Sequence, residues 1–134
     1  VFNHNLETVR RLYRTARPAG RYDRALALLA RAARTAPAIP TKSGVMVGLG
    51  ETVDEVREAI ADLRRHDCRM LTIGQYLRPS PAHLPLVRYY APREFADLER
   101  YARDLGYLHV ESGPLVRSSY HAHEQADAIA RGGR

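Results

Sequence analysis

Near one end of the chain, Pro114-Leu115-Val116-Arg117-Ser118-Ser119-Tyr120-His121 sets two adjacent hydroxyls between a guanidinium and an aromatic–imidazole pair. Polar density close to a terminus commonly belongs to an unpacked tail. Here the apolar lead-in and the tyrosine point instead to a docked segment. The serines then read either as functional hydroxyls or as the cap of a helix starting near His121. A second concentration of chemistry is Gly44-Val45-Met46-Val47-Gly48-Leu49-Gly50-Glu51. Gly44 and Gly48 let a flat ligand approach the backbone, and Glu51 can stabilise the helix start that follows. Lys42-Ser43, a cation and a hydroxyl, leads into it, and Lys42 is the only lysine of the chain. It reads as a ligand contact or as a solvated strand start. Asn5 and Glu7 read as a ligand-facing pair or as a helix cap with an acidic first turn. Gln75 and Tyr76 line a cavity, or the tyrosine is buried with its hydroxyl hydrogen-bonded. His83 belongs to a site entrance or to a surface loop.

These residues need elements to place them, and the chain alternates short β-like runs with helical segments, the pattern of βα units around a parallel sheet. Val1-Phe2 reads as a strand end, followed by a helix capped by Asn5 with Leu6, Val9, Leu12 and Tyr13 at helical spacing. Arg17-Pro18-Ala19-Gly20 breaks it. A second helix runs through Tyr22, Leu26, Leu29 and Ala33 and stops before Pro37. A strand is predicted over 41–47, then a helix opened by the capping box Thr52/Glu55. Met70-Leu71-Thr72-Ile73 is the next strand. Residues 78–90, with Pro79, Pro81 and Pro85, form a long stiff loop of the kind that is often functional. A helix around Phe95, Leu98, Tyr101 and Ala102 and a strand over 107–110 complete the pattern. Functional groups in such folds sit at the C-terminal ends of the strands. Those ends read Asn3-His4-Asn5, Gly48-Leu49-Gly50-Glu51, Gly74-Gln75-Tyr76 and Ser112-Gly113.

Bulk properties narrow the classes. The chain has 134 residues, 45% hydrophobic and 27% charged, with a formal net charge of +6, enough for one domain or a piece of one. No apolar run is long enough to span a bilayer. The arginines are dispersed and no basic stretch is interleaved with aromatics, which argues against a nucleic-acid partner. A single cysteine, Cys68, excludes an internal disulfide framework and a self-contained Cys-rich metal site and favours a reducing, cytoplasmic setting. Cys68 itself reads as a small buried residue at the rim opposite the site. No pair among the histidines His4, His109, His121 and His123 has metal-ligand spacing. Three βα units do not close a barrel, so the chain is expected to be cut from a larger one, beginning inside a structural element.

Phe2-Asn3-His4-Asn5-Leu6-Glu7-Thr8, Pro40-Thr41-Lys42-Ser43-Gly44, Leu71-Thr72-Ile73-Gly74-Gln75-Tyr76-Leu77, His83-Leu84-Pro85 and Arg117-Ser118-Ser119-Tyr120-His121-Ala122 together resemble lipoyl synthase. This is a family of radical S-adenosylmethionine (SAM) enzymes. Gly44 to Glu51 matches the GxIxGxxE pattern of radical SAM proteins, with Met46 in place of Ile. Three departures stand beside the match: Arg17-Pro18-Ala19-Gly20-Arg21-Tyr22 reorders the usual RPGAxY turn, Ala91 replaces a capping serine before Pro92, and His123 stands where relatives carry an acid.

The resemblance implies an α/β fold, the C-terminal part of a radical-SAM (β/α) partial TIM barrel. Residues 1–111 would form βα units and 112–134 a C-terminal extension. It implies an enzyme that inserts two sulfur atoms at C6 and C8 of a protein-bound octanoyl-lysine. One [4Fe-4S] cluster cleaves SAM to a 5′-deoxyadenosyl radical, and a second [4Fe-4S] cluster supplies sulfur. SAM would be bound through Asn5, Glu7, Lys42, Ser43, Gly48, Glu51, Gln75 and Tyr76, with Lys42 and Ser43 facing the barrel interior at its carboxylate and amine end. Ser119, or its neighbour Ser118, would ligate the auxiliary cluster as a hard, labile oxygen ligand beside the usual thiolates. Arg117 would balance the cluster's charge, and His83 and Arg117 would stand on the substrate side. The implied partners are an octanoylated lipoyl carrier domain, on an acidic E2 or glycine-cleavage H protein, and an electron donor. The basic balance suits steering toward an acidic carrier. The cluster cysteines would lie upstream, so the chain alone would be inactive. A biotin-synthase-like sulfur inserter and a non-catalytic barrel fragment that binds a carrier are the alternatives.

Overall fold

The computed structural model describes residues 1–117. Its elements are β1 (Phe2–Asn3), a 3-10 turn (Arg10–Leu12), α1 (Tyr13–Ala16), α2 (Tyr22–Thr35), β2 (Thr41–Val47), α3 (Val53–Arg65), β3 (Met70–Gln75), α4 (Pro92–Asp104) and β4 (His109–Gly113). The four strands form one parallel sheet in sequence order, an open arc of a (β/α) barrel.

Strand alternation assigns the two faces. Val45, Val47, Leu71, Ile73 and Val110 point toward α2, α3 and α4, where they meet Leu26, Leu29, Ile60, Leu63, Phe95 and Leu98 in one core. Each fully buried aliphatic of this kind contributes about 1.5–3 kcal/mol. The opposite face carries rows fixed by register: Asn3, Lys42, Met70 and His109; then Gly44, Thr72 and Glu111; then Met46, Gly74 and Gly113. No helix among the described residues is long and apolar enough to cross a membrane.

Several sequence expectations change here. No helix starts at Asn5. Residues 4–9 run beside β2 as a non-helical segment in which the Glu7 amide donates to the Gly44 carbonyl and the Met46 amide to that of Glu7. Leu6, Val9 and Tyr13 are buried as their spacing requires, but β2 takes the backbone hydrogen bonds that a helix would have used. β3 continues two residues past Ile73. β4 begins two residues later than predicted and runs through the 111/112 boundary. The capping box at α3 is present, with Thr52 Oγ1 accepting from the Glu55 amide at 3.1 Å and Glu55 Oε1 from the Thr52 amide at 2.9 Å.

Candidate functional site

At the C-terminal ends of the strands lies a cavity of about 460 Å3, walled by Asn5, Glu7, Gly44, Met46, Thr72, Gly74, Val116 and Arg117. A second cavity of about 270 Å3 adjoins it, sharing Glu7 and Met46 and adding Thr8, Leu49, Tyr76 and His83. Glu7 therefore stands between the two. Its φ of 80° is left-handed for a residue with a Cβ, a conformation that persists only where the surroundings impose it. Here the imposed geometry is the pair of backbone bonds to β2, and Arg17 Nη1 approaches the carboxylate at 3.8 Å.

The floor of the larger cavity is open because Gly44 has no side chain. A Cβ there would meet Thr72 Oγ1 at 2.6 Å and Asn5 Oδ1 at 3.2 Å. Asn5 Oδ1 is buried with no hydrogen-bond partner among the described residues, as is Thr8 Oγ1 in the adjoining cavity. Buried acceptors left unmet are costly, so each marks a place where a ligand's donor would be favoured.

Lys42 lies one row below the cavity floor. It is fully buried, and its Nζ has no hydrogen-bond partner among the described residues. Burial lowers its pKa, opposed by the charge of Glu111. The solvated reading of Lys42 is thereby excluded. Ser43 corrects the expectation that both residues face the interior. Successive strand residues point to opposite faces, and Ser43 Oγ accepts the Leu6 amide at 2.9 Å on the helix side.

Three other singled-out residues act on the turn after β2 instead of walling either cavity. The Glu51 carboxylate does not cap the next helix. It accepts the Gly48 amide at 2.9 Å, the Leu49 amide at 3.0 Å and the Tyr90 hydroxyl at 2.6 Å. Burial beside that carboxylate raises the Tyr90 pKa. Gly48 has φ 105° and no room for a Cβ, which would reach the Arg88 carbonyl at 2.6 Å. Gln75, on the helix side by the same parity, donates to the carbonyls of Val47, Tyr76 and Arg88 and accepts the Tyr90 amide at 2.9 Å. Together they fasten the proline-rich loop to the sheet.

Tyr76 and His83 do meet, in the adjoining cavity. The Tyr76 hydroxyl donates to the Leu84 carbonyl at 2.6 Å, and His83 Nδ1 pairs with Ser80 Oγ at 2.8 Å. Arg117 walls the larger cavity. Ser118, Ser119, Tyr120, His121 and His123 lie outside the described residues. Cys68 is buried at the far end of the sheet, where burial pushes its thiol up to about 12. Among the described residues no group of three His, Cys, Asp or Glu side chains can hold a metal ion. Residues 1–117 by themselves therefore do not supply the ligand set of an iron–sulfur cluster. They do fit a ligand with hydrogen-bond donors and a flat portion. Sequence reading missed Thr72 and placed Gly74 only at a strand end; counting alternate residues from Met70 puts both on the cavity face.

No family model matches the chain. Curated relatives match almost all of it. A lipoyl synthase of Methylococcus capsulatus is 63% identical over 131 residues, 98% of this chain and 41% of the relative. One of Rubrobacter xylanophilus is 55% identical over 132 residues, again 98% and 41%. One of Koribacter versatilis is 58% identical over 128 residues, 96% and 42%. The chain thus spans about two fifths of the length of the curated relatives it matches.

Proposed function

We propose that this chain, a homologue of lipoyl synthases along nearly its whole length, is the C-terminal portion of such an enzyme. Its part would be the wall of a partial (β/α) barrel that receives SAM. The biotin-synthase-like and non-catalytic alternatives are not favoured by the relatives. The observation that carries the reading is the pair of joined cavities at the strand ends, with the unmet Asn5 Oδ1 on one wall and Glu7 between them.

SAM suits that shape by its chemistry. Its ammonium and ribose hydroxyls are donors for Asn5 and Glu7. Its adenine is a flat group for the narrower, mostly apolar cavity against Met46, Leu49 and Tyr76. Its carboxylate is a partner for a cation, Arg117 or Lys42. When bound, SAM supplies the hydrogen-abstracting chemistry of radical SAM enzymes. The chain's own residues bind it, orient it and exclude water. Gly48, Glu51 and Gln75 hold the turn and loop that frame the site, a positioning role rather than ligand contact.

The finer parts of the proposal concern the longer protein. Two [4Fe-4S] clusters would be held by cysteines beyond this chain, with Ser119 completing the auxiliary one. The substrate would be an octanoyl-lysine on an acidic lipoyl carrier domain, an electron donor would serve the first cluster, and the setting would be cytoplasmic. SAM titration of the full-length protein, followed calorimetrically, tests the central part. Asn5→Ala and Glu7→Gln are expected to weaken SAM binding about 10-fold or more. Unchanged affinity in both variants would remove the cavity from the site.

A further inference from the structure

After β4 the chain turns back across the cavity face of the sheet. The Val116 amide donates to the Gly113 carbonyl at 3.2 Å, closing a tight turn. This brings Val116 and Arg117 over β3, where they form one wall of the larger cavity. The crossing has a single narrow point.

Gly74 and Gly113 are register partners on neighbouring strands, yet the space above them differs. A Cβ on Gly113 would touch only Val116 Cγ2, at 3.7 Å, an ordinary contact. A Cβ on Gly74 would fall under 3.0 Å from the Val116 carbonyl oxygen, and would meet Val116 C and Arg117 Nη1 at 3.4 Å each. Neither glycine has a positive φ, so conformational freedom is not what Gly74 contributes. What it contributes is room for the backbone of another segment. A carbonyl cannot move aside as a side-chain tip can. Among the described residues the Arg117 guanidinium donates only to the Val116 carbonyl, at 2.7 Å, and no ion pair engages it.

We propose that Gly74 is a positioning residue, the seat on which the strap of residues 114–117 rests. Seating closes the cavity and holds the Arg117 guanidinium against the anionic part of whatever occupies it. The geometry of the seat stands by itself; its consequence for SAM rests on the function proposed above.

The test compares Gly74→Ala with Gly113→Ala in the full-length protein, by amide hydrogen exchange of residues 115–117 and by SAM affinity. Gly74→Ala is expected to expose the strap amides to exchange and to weaken SAM binding about 10- to 100-fold. Gly113→Ala should leave both near wild type. In a protein ending at Gly113, Gly74→Ala should change neither thermal midpoint nor SAM affinity, because the carbonyl it would strike is gone. Wild-type strap protection in Gly74→Ala, equal losses in both glycine variants, or an undiminished effect after strap removal would each overturn the proposal. If the shortened protein does not fold, the two glycine variants decide alone. If the wild type ignores SAM, the functional reading fails while the exchange comparison still judges the seat.

Discussion

Lys42 and Ser43 are adjacent, and their neighbourhood in sequence suggests one site. The pleat separates them. Lys42 goes to the cavity face with its Nζ buried and unmet among the described residues, while Ser43 turns to the helices and holds the Leu6 amide. A buried amine with no hydrogen-bond partner among the described residues costs about 1–3 kcal/mol even when neutral and more when charged, and burial lowers its pKa. Lys42→Met is therefore expected to raise the stability of the SAM-free protein by about 1–2 kcal/mol, read from the urea midpoint, while weakening SAM binding. A loss of stability would instead mean that Glu111 fully compensates the charge. That Asn5 and Glu7 share one face was legible, and both line the cavity, but the helix expected to start at Asn5 does not form. The hydrogen-bond demand of β2 overrode a local capping pattern, and no single-segment rule contains that competitor.

At the level of elements, the long loop is held by its flanks. Arg88 binds Glu94 through both guanidinium nitrogens at 2.9 Å. Glu94 Oε1 also accepts the Ala91 amide at 2.9 Å, half of a capping box whose other half Ala91 cannot supply. Arg11 ties the segment before α1 to Glu55 and to the Gly50 carbonyl. Hydrogen bonds from Arg88 and Arg11 hold the Glu94 and Glu55 carboxyls down to about 2.

Folded values below the ordinary one, near 4.3, mean that the folded state favours the ionised form. Their contribution is complete above about pH 4.5 and is lost as pH falls toward 2. Both pairs are largely exposed, so the effect is modest and weakened by salt. Urea midpoints measured between about pH 5 and pH 2 should fall less steeply in an Arg11→Gln/Arg88→Gln variant than in the wild type. Parallel curves would show that these two pairs do not contribute to stability. The strand over 41–47, the α3 capping box and the loop itself could all be read from sequence, because each is decided by local chemistry. The extension of β3 and the later start of β4 could not, since pairing between strands sets them.

For the molecule as a whole, an open arc of four parallel strands presents polar groups and glycines on the face that a closed barrel would enclose. The curated relatives it matches are more than twice its length. The segment 118–134, which carries the most distinctive residues of the sequence, is approached by the strap seated on Gly74.

The most direct measurement is made on the full-length protein, reconstituted anaerobically with iron and sulfide and supplied with SAM, a reductant and an octanoyl-lysyl peptide. Mass spectrometry of the peptide is expected to find two hydrogens replaced by two sulfurs, with the product lost in Ser119→Ala. SAM cleavage with no sulfur in the peptide would contradict the account.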